Sequence, residues 1–206
     1  MRFREIDARA LEGLAYQRCF LYAQRVEIRT ERLRMVPATL ELLELEVRDV
    51  ASLGRALEVR VQPDWPPDLY DGDATRWLMA CLQAQPEMLG WLLFYVIHEN
   101  PCGPTLVGTA GYKGAANASG DVEIGYGIVT NQHRQGMGTE AARGLVSHAF
   151  AFPEVKRVTA ATYPDNFGSL GVMRRCGMRP LGIGPEEGTV LYGIERSEFE
   201  ATAGLP

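Results

Sequence analysis

Gly136 and Gly138 lie in the segment of this sequence whose residue types most clearly suggest chemistry. They follow a predicted strand and directly precede an amphipathic stretch that predicts a helix. Glycines at such a junction let the backbone turn its amide groups outward, and the helix dipole favours an anion there. Arg134 adds positive charge beside them. The pattern predicts a pyrophosphate-binding loop, and a simple turn is the alternative for an isolated pair of glycines.

Two nucleotide-binding alternatives fit the same segment less well. Gly136–Ala141 also matches the dinucleotide pattern G-x-G-x-x-G/A. In that fold the strand runs almost directly into the first glycine and further βα units follow. Here Thr130–Gln135 intervenes, and too little chain remains for a doubly wound sheet. The pattern G-x-x-x-x-G-K-S/T is absent from the sequence, which excludes a nucleoside-triphosphate P-loop.

The predicted strand before the loop has an unusual face. Alternation over Asp121–Val129 places Glu123, Gly125 and Gly127 on one side. Two glycines on one face of a strand mark a close approach by a ligand or by another backbone. The sequence therefore predicts a bare lane beside the Glu123 carboxylate that leads to the glycine loop. A bulge with a solvated Glu123 is the alternative.

The elements around these motifs predict an α+β fold. Strands at Trp91–His98, Thr105–Tyr112 and Asp121–Val129 are joined by short connections, so we expect an antiparallel meander. The remaining pattern predicts a strand at Val26–Met35, one or two helices over Leu40–Leu57, a helix at Asp73–Gln85, a helix at Gly136–Phe152, a strand at Lys156–Thr162, a helix at Phe167–Cys176, and strands at Met178–Gly184 and Thr189–Arg196. We expect a single domain with a mixed, mostly antiparallel twisted sheet flanked by helices.

Composition limits the classes of partner. The 206 residues suffice for one domain with an extension, and 46% of them are hydrophobic. The net charge of −5 argues against nucleic acid as the main partner, because such binding uses many cationic contacts. No stretch is apolar enough to span a membrane, and the charged N-terminus does not resemble a signal peptide. We therefore expect a cytoplasmic protein. Four cysteines and three histidines lack metal-ligand spacing, so we expect no metal.

Four segments resemble, in order, the motifs of the GNAT acetyltransferase superfamily. They are Glu123-Ile-Gly-Tyr-Gly127, His133-Arg-Gln-Gly-Met-Gly-Thr-Glu-Ala141, Tyr163-Pro-Asp-Asn-Phe-Gly-Ser169 and Arg175-Cys-Gly-Met178. The most similar type is the ribosomal-protein N-terminal acetyltransferases of the RimJ/RimL kind. The resemblance covers about residues 26–196, with a helical extension at 1–25 and a tail at 197–206. It implies acetyl-CoA as cofactor, a primary amine as acceptor and, since many relatives are dimers, a homodimer as one option.

The resemblance also implies which residues bind the cofactor. The pantetheine arm would pair with the strand around Ile128, Val129 and Thr130. Backbone amides would hold the pyrophosphate along Arg134, Gln135, Gly136, Met137, Gly138 and Thr139.

Five further positions follow from the same motifs. The family has Gln or Arg where this sequence has His133, which leaves the backbone cradle intact but changes that side-chain contact. Asn166 would cap the short helix and also contact the cofactor arm. A plain helix cap is the alternative for both Asn166 and Ser169. Arg174 and Arg175 would reach the phosphates of the cofactor, unless they are solvated surface arginines.

Acyl transfer from a thioester to an amine needs a proton acceptor, stabilisation of an oxyanion and departure of a thiolate. Glu123, directly or through water, is the candidate proton acceptor, and a backbone N–H near Ile128 or Val129 is the candidate oxyanion donor. The position of the family's tyrosine acid is Met173, so that mechanism is not available. The RimJ/RimL-type serine matches Ser169, which would hydrogen-bond the departing sulfur. A non-catalytic acyl-CoA-binding domain is the alternative function.

Overall fold

The computed structural model describes residues 27–68 and 70–203, so the predicted extension at 1–25 lies outside the described residues. These residues form an α+β domain, as predicted. The strands are β1 Ile28–Arg29, β2 Leu33–Pro37, β3 Arg60–Val61, β4 Leu93–His98, β5 Thr105–Tyr112, β6 Asp121–Ile128, β7 Arg157–Thr162, β8 Arg179–Ile183 and β9 Val190–Glu195. The helices are α1 Leu40–Arg48, α2 Val50–Leu57, α3 Gly72–Ala84, α4 Met137–Phe150, α5 Phe167–Arg175 and α6 Arg196–Ala203. Within the described part of the chain, no helix combines the length and apolar character needed to cross a bilayer.

The described strands form a nine-stranded sheet in the order β1-β2-β4-β5-β6-β7-β9-β8, with β3 paired to β5. β4, β5 and β6 are antiparallel neighbours, which confirms the predicted meander. β7 lies parallel to β6, because α4 carries the chain back across the sheet between them. The sheet is therefore mixed and mostly antiparallel, and it is not closed.

Side chains alternate between the two faces of β4 and join two separate cores. Phe94 and Val96 belong to the core that contains α4 and α5. Tyr95 and Ile97 belong to the core that contains α1, α2 and α3. Burial on both faces explains why the sequence of β4 is almost continuously apolar.

The prediction of one continuous strand over Val26–Met35 is wrong, because the described part of that segment forms a hairpin. β1 and β2 pair antiparallel, with Ile28 opposite Met35. Between them the Thr30 N–H donates to the Leu33 carbonyl at 2.9 Å. A turn of polar residues at 30–32 thus interrupts a run whose composition otherwise suits a strand. This turn lies at the N-terminal end of α4, where the Arg32 N–H donates to the Glu140 carboxylate.

The leucine-rich stretch forms two helices that meet at Asp49. Thr39 caps α1 by accepting a hydrogen bond from the Leu42 N–H at 3.3 Å. Asp49 ends α1 and caps α2, since its carboxylate accepts from the N–H groups of Ala51 and Ser52 at 3.1 and 3.0 Å. This shared cap explains why a single apolar stretch divides into two helices.

The buried face of α3 does not include Trp77. Leu78 and Leu82 are buried in the core, and Thr75 is buried beside them. The Trp77 side chain is 59% exposed, because a position next to Leu78 is rotated about 100° around the helix from the buried stripe.

After β9 the chain forms α6 within the segment predicted as a tail. Arg196, the first residue of α6, donates from Nη1 to the Phe150 carbonyl at 2.8 Å and from Nε to the Val155 carbonyl at 2.9 Å. These carbonyls belong to the end of α4 and to the connection into β7. Arg196 therefore satisfies the Phe150 carbonyl, which the end of α4 leaves without an intrahelical partner, and also a carbonyl of the connection.

Candidate functional site

β6 and β7 separate after a short shared ladder. Parallel pairing joins 121–123 of β6 to 157–159 of β7, whereas β6 remains paired with β5 as far as Ile128. Among the described strands, none pairs with the second half of β6 on the side that faces β7. The sheet is therefore open along Gly125–Ile128, and an extended ligand could pair with this edge.

The hydrogen-bonding pattern shows which backbone groups of β6 face this opening. The Val129 N–H donates to the Val107 carbonyl of β5 at 2.9 Å. In an antiparallel pair, alternate residues direct their N–H and C=O groups to the same neighbour. Tyr126 and Ile128 therefore direct theirs toward the opening. Of the two predicted oxyanion donors, only Ile128 has a suitably directed N–H, because that of Val129 is engaged with β5.

The predicted bare lane exists on one face of β6. A Cβ placed on Gly125 would meet no heavy atom within 4 Å among the described residues. A Cβ on Gly127 would lie 3.2 Å from Cβ of Pro67 and 3.6 Å from the carbonyl oxygen of Asp68. The lane is thus open at Gly125 and covered at Gly127 by the loop that contains Pro67.

The glycine loop adopts the conformation that an anion site requires. Gly136 has φ +83° and precedes α4, and Arg134 has φ +59°. Both values lie in the left-handed region, which only glycine adopts without strain. The first helical bond runs from the Glu140 N–H to the Gly136 carbonyl at 3.0 Å, and no described side chain caps this end of α4. The N–H groups at 137–139 therefore have no intrahelical acceptor.

Arg32 in the β1–β2 turn braces this loop. Its Nε donates to Glu140 Oε2 at 2.8 Å and its Nη1 to the Gln135 carbonyl at 3.2 Å. Thr30 Oγ1 donates to the same Glu140 carboxylate at 2.6 Å. Burial alone would raise the pKa of Glu140, but the hydrogen bonds from Thr30 and Arg32 outweigh burial and keep that pKa below its usual value. A Cβ on Gly136 would lie 3.3 Å from Arg32 Nη2, so the Arg32 guanidinium lies beside the loop.

Two more arginines meet at the first turn of α4. Arg175 Nε donates to Thr139 Oγ1 at 3.0 Å, and Arg143 Nη2 donates to the Arg175 carbonyl at 2.7 Å. Both side chains belong to exposed residues. The neighbouring Cys176 is buried, and burial raises its pKa to about 11. This fits a packed thiol rather than a nucleophile.

His133 contacts the end of β6. Its Nε2 lies 2.6 Å from the Ile128 carbonyl oxygen. A carbonyl only accepts, so Nε2 carries the proton in this contact. The residue that departs from the family pattern therefore binds a backbone oxygen at the open edge.

Asn166, Ser169 and Tyr126 form a polar group across the opening. Asn166 Oδ1 accepts from the Ser169 N–H at 3.0 Å, so Asn166 caps α5. Tyr126 Oη lies 3.1 Å from Ser169 Oγ. Burial raises the pKa of Tyr126 to about 12, although the hydrogen bond to Ser169 acts in the opposite direction. A protonated tyrosine therefore contacts the candidate serine from β6 rather than from the position of Met173.

Glu123 borders a pocket of about 470 Å³ between β6 and the connection from β8 to β9. Its Oε1 lies 2.7 Å from Lys113 Nζ, and the same ammonium lies 2.8 Å from Glu186 Oε1. Burial alone would lower the pKa of Lys113, but the two carboxylates outweigh burial and raise it. The Glu123 carboxylate therefore already contacts a primary ammonium group.

Residues 32–179 match the acetyltransferase (GNAT) domain, a span of more than half of the chain. This chain belongs to the GNAT family of acetyltransferases. The assignment confirms the predicted enzyme class and acetyl-CoA as the cofactor of that class.

Similar proteins support the family at the level of fold. YjdG, an uncharacterised N-acetyltransferase of Bacillus subtilis strain 168, is 25% identical over 153 residues, which cover 74% of this chain and 89% of YjdG. A GNAT acetyltransferase from Bacillus anthracis has a TM-score of 0.57 at 21% identity, covering 84% of this chain and 100% of that one. RimL, a ribosomal L7/L12 alpha-N-protein acetyltransferase solved with coenzyme A, has a TM-score of 0.58 at 17% identity, covering 82% and 98%. The RimJ/RimL resemblance is thus supported structurally.

The residues of this GNAT site fit the cofactor. The open edge at Ile128 can pair with an extended arm, and the uncapped N-terminus of α4 can bind phosphate. The predicted residues from Ile128 to Thr139 follow one continuous path between these two places. Sequence reasoning missed Arg32, which reaches the loop from an element distant in sequence, and Tyr126, whose partner Ser169 lies 43 positions further along the chain.

Proposed function

We propose that this GNAT protein transfers the acetyl group of acetyl-CoA to a primary amine, at a protein N-terminus or on a small molecule, by direct attack in a ternary complex. The observation that carries the proposal is the open lane at Gly125. It lies on one strand between the Glu123 carboxylate and the Ile128 N–H. An amine entering over Gly125 would approach a thioester held along the edge of β6, which is the proximity that direct attack requires.

Bond formation joins the amine nitrogen to the acetyl carbon, and the carbon–sulfur bond breaks. The Ile128 N–H donates to the oxygen that becomes negative during attack. Glu123 accepts the proton of the amine, directly or through water, and such help typically contributes about 10²–10⁴-fold. The contact with Lys113 at 2.7 Å joins this carboxylate to a primary ammonium, the group that an acceptor amine would present in place of Lys113.

Ser169 donates a hydrogen bond to the departing sulfur. Tyr126 Oη, 3.1 Å from Ser169 Oγ, can donate in turn to the serine and so fix its orientation. No covalent intermediate on the enzyme is required, because the amine attacks the thioester directly.

The substitution Glu123→Gln tests the proposal. We expect kcat at neutral pH to fall by about 10²-fold or more, while acetyl-CoA affinity measured by calorimetry stays unchanged. Thiol release with a panel of protein N-terminal peptides, polyamines and aminoglycosides is the activity assay. Glu186→Gln is the matched control, because it removes the other carboxylate that contacts Lys113 and lies outside the lane.

Two results would contradict the proposal. Unchanged turnover of Glu123→Gln across the pH range would remove Glu123 from the reaction. Coenzyme A binding without thiol release for any amine would instead favour a non-catalytic acyl-CoA-binding protein.

A further inference from the structure

Glu46 in α1 has a buried carboxylate that accepts three hydrogen bonds. The residue is 9% exposed. Its Oε1 accepts from Trp65 Nε1 at 2.9 Å, and its Oε2 accepts from Tyr70 Oη and Tyr95 Oη, each at 2.7 Å. Burial raises the pKa of both tyrosines well above the usual value, so both hydroxyls stay protonated and can donate. A buried carboxylate is costly unless it is hydrogen-bonded in this way.

The three donors come from two different parts of the fold. Tyr95 belongs to β4, in the centre of the sheet. Trp65 and Tyr70 belong to the segment 62–71, which we call the proline loop and which the structure describes apart from residue 69. The Trp65 ring contacts the rings of Tyr70 and Tyr95, each with centroids 6.2 Å apart. Glu46 therefore attaches an irregular loop to a helix and to the sheet.

The opposite side of the proline loop forms a wall of the candidate site. Pro67 lies 3.2 Å from the position of a Cβ on Gly127 and so covers that end of the lane. Asp64 Oδ2 accepts from the Asn131 N–H at 2.9 Å, just before the glycine loop. The loop therefore connects the buried carboxylate to the edge of the opening over Gly125.

We propose that Glu46 is a positioning residue for the acceptor, which it serves by holding the proline loop against Gly127, at the covered end of the lane. The inference rests on the proposed function, since the lane is where the amine would enter. The cofactor path runs along the open edge of β6 to the N-terminus of α4, and the proline loop contacts it through Asp64 and the Asn131 N–H. That contact does not involve Tyr70, so loosening the loop at Tyr70 should affect the acceptor and leave coenzyme A binding intact.

The pair Tyr70→Phe and Tyr95→Phe separates positioning from general stability. Each variant removes one hydroxyl that donates to the same Glu46 oxygen at the same distance, but only Tyr70 belongs to the proline loop. We expect Tyr70→Phe to raise the KM for the amine by roughly tenfold, a factor that corresponds to the free energy of one hydrogen bond to a carboxylate. Tyr95→Phe should lower the melting temperature without that change. Both variants should bind coenzyme A as the unmodified protein does.

Hydrogen–deuterium exchange of residues 62–68 gives a second readout that does not need turnover. Tyr70→Phe should accelerate exchange there, and Tyr95→Phe should not. Equal changes in KM or in exchange for the two variants would overturn the proposal, as would no change in either. Absence of thiol release from the unmodified protein would refute the proposed function and with it the acceptor role, whereas the exchange result would still decide whether Glu46 holds the loop.

Discussion

Replacing Gly136 and Gly138 one at a time with alanine tests the anion site at the level of the backbone. Gly136 has φ +83°, whereas Gly138 lies within the first turn of α4. A Cβ on Gly138 would lie 3.7 Å from side-chain atoms of Ile128 and Val172, which is ordinary contact. The two substitutions add the same methyl group two residues apart, but only one of them opposes the local conformation.

The expected size of the effect follows from the backbone angle. A residue other than glycine in the left-handed region costs about 1–2 kcal/mol. In the Gly136→Ala variant the loop would relax out of that region in the free protein, and coenzyme A would have to restore it on binding. The dissociation constant should therefore rise between about fivefold and thirtyfold, since 1.4 kcal/mol corresponds to a factor of ten.

Isothermal titration calorimetry with coenzyme A measures this change directly. Gly136→Ala should bind coenzyme A roughly five to thirty times more weakly on this basis. Gly138→Ala should bind coenzyme A within about twofold of the unmodified protein, because an exposed or loosely packed methyl group has little effect. Circular dichroism should confirm that both variants are folded. Equal affinities for the two variants would refute the reasoning, because they would show that the left-handed turn at Gly136 does not shape the anion site.

Two further predictions concern the pH dependence of stability and the contact of Arg32 with the glycine loop. Burial lowers the pKa of His148 to about 4, so between that value and the ordinary 6.5 the unfolded chain binds one more proton than the folded chain. The free energy of unfolding should then fall by up to about 3 kcal/mol as the pH drops through this window. The variant His148→Phe should reduce this loss, as measured by melting curves at pH 7 and pH 5. An unchanged pH dependence in that variant would exclude His148 as the source of the loss. Arg32→Lys should weaken coenzyme A binding about twofold to fivefold, because lysine cannot replace the forked contact with Glu140 and the exposed pair is partly screened. Arg29→Lys is the control in the same hairpin, and equal losses in both would contradict the assignment.

Local patterns in the sequence were enough to predict most of the site's backbone. The short spacing between β4, β5 and β6 predicted the meander, and the glycine spacing on β6 predicted the lane that is open at Gly125. The position of Gly136 just before an amphipathic helix predicted the loop, in which Gly136 has φ +83°. These features depend on residues within a few positions of one another, so periodicity and turn chemistry are sufficient to find them.

Contacts between distant segments could not be predicted in the same way. Arg32 and Glu140 are separated by 108 positions, and Tyr126 and Ser169 by 43. Their meeting depends on the order of strands in the sheet, which no local pattern specifies. Glu46 did leave a signal, since it lies three residues after the buried Leu43 on the same face of α1. A carboxylate on an apolar helical face requires buried donors, and this could have indicated the aromatic residues of the proline loop.

The two halves of the proposed site would bind their ligands by different means, and this explains which half the sequence predicted. The proposed cofactor half consists mainly of backbone groups at the edge of β6 and at the N-terminus of α4, so glycines and a suitable turn are its main requirements. Such a site can keep a recognisable glycine spacing while the surrounding side chains change. The proposed acceptor half lies between the proline loop, where the Pro67 side chain covers one end of the lane, and the connection from β8 to β9, where Pro185 lines the neighbouring pocket. Since side chains rather than backbone shape this half, the identity of the amine should be altered by substitutions in these two segments without loss of coenzyme A binding.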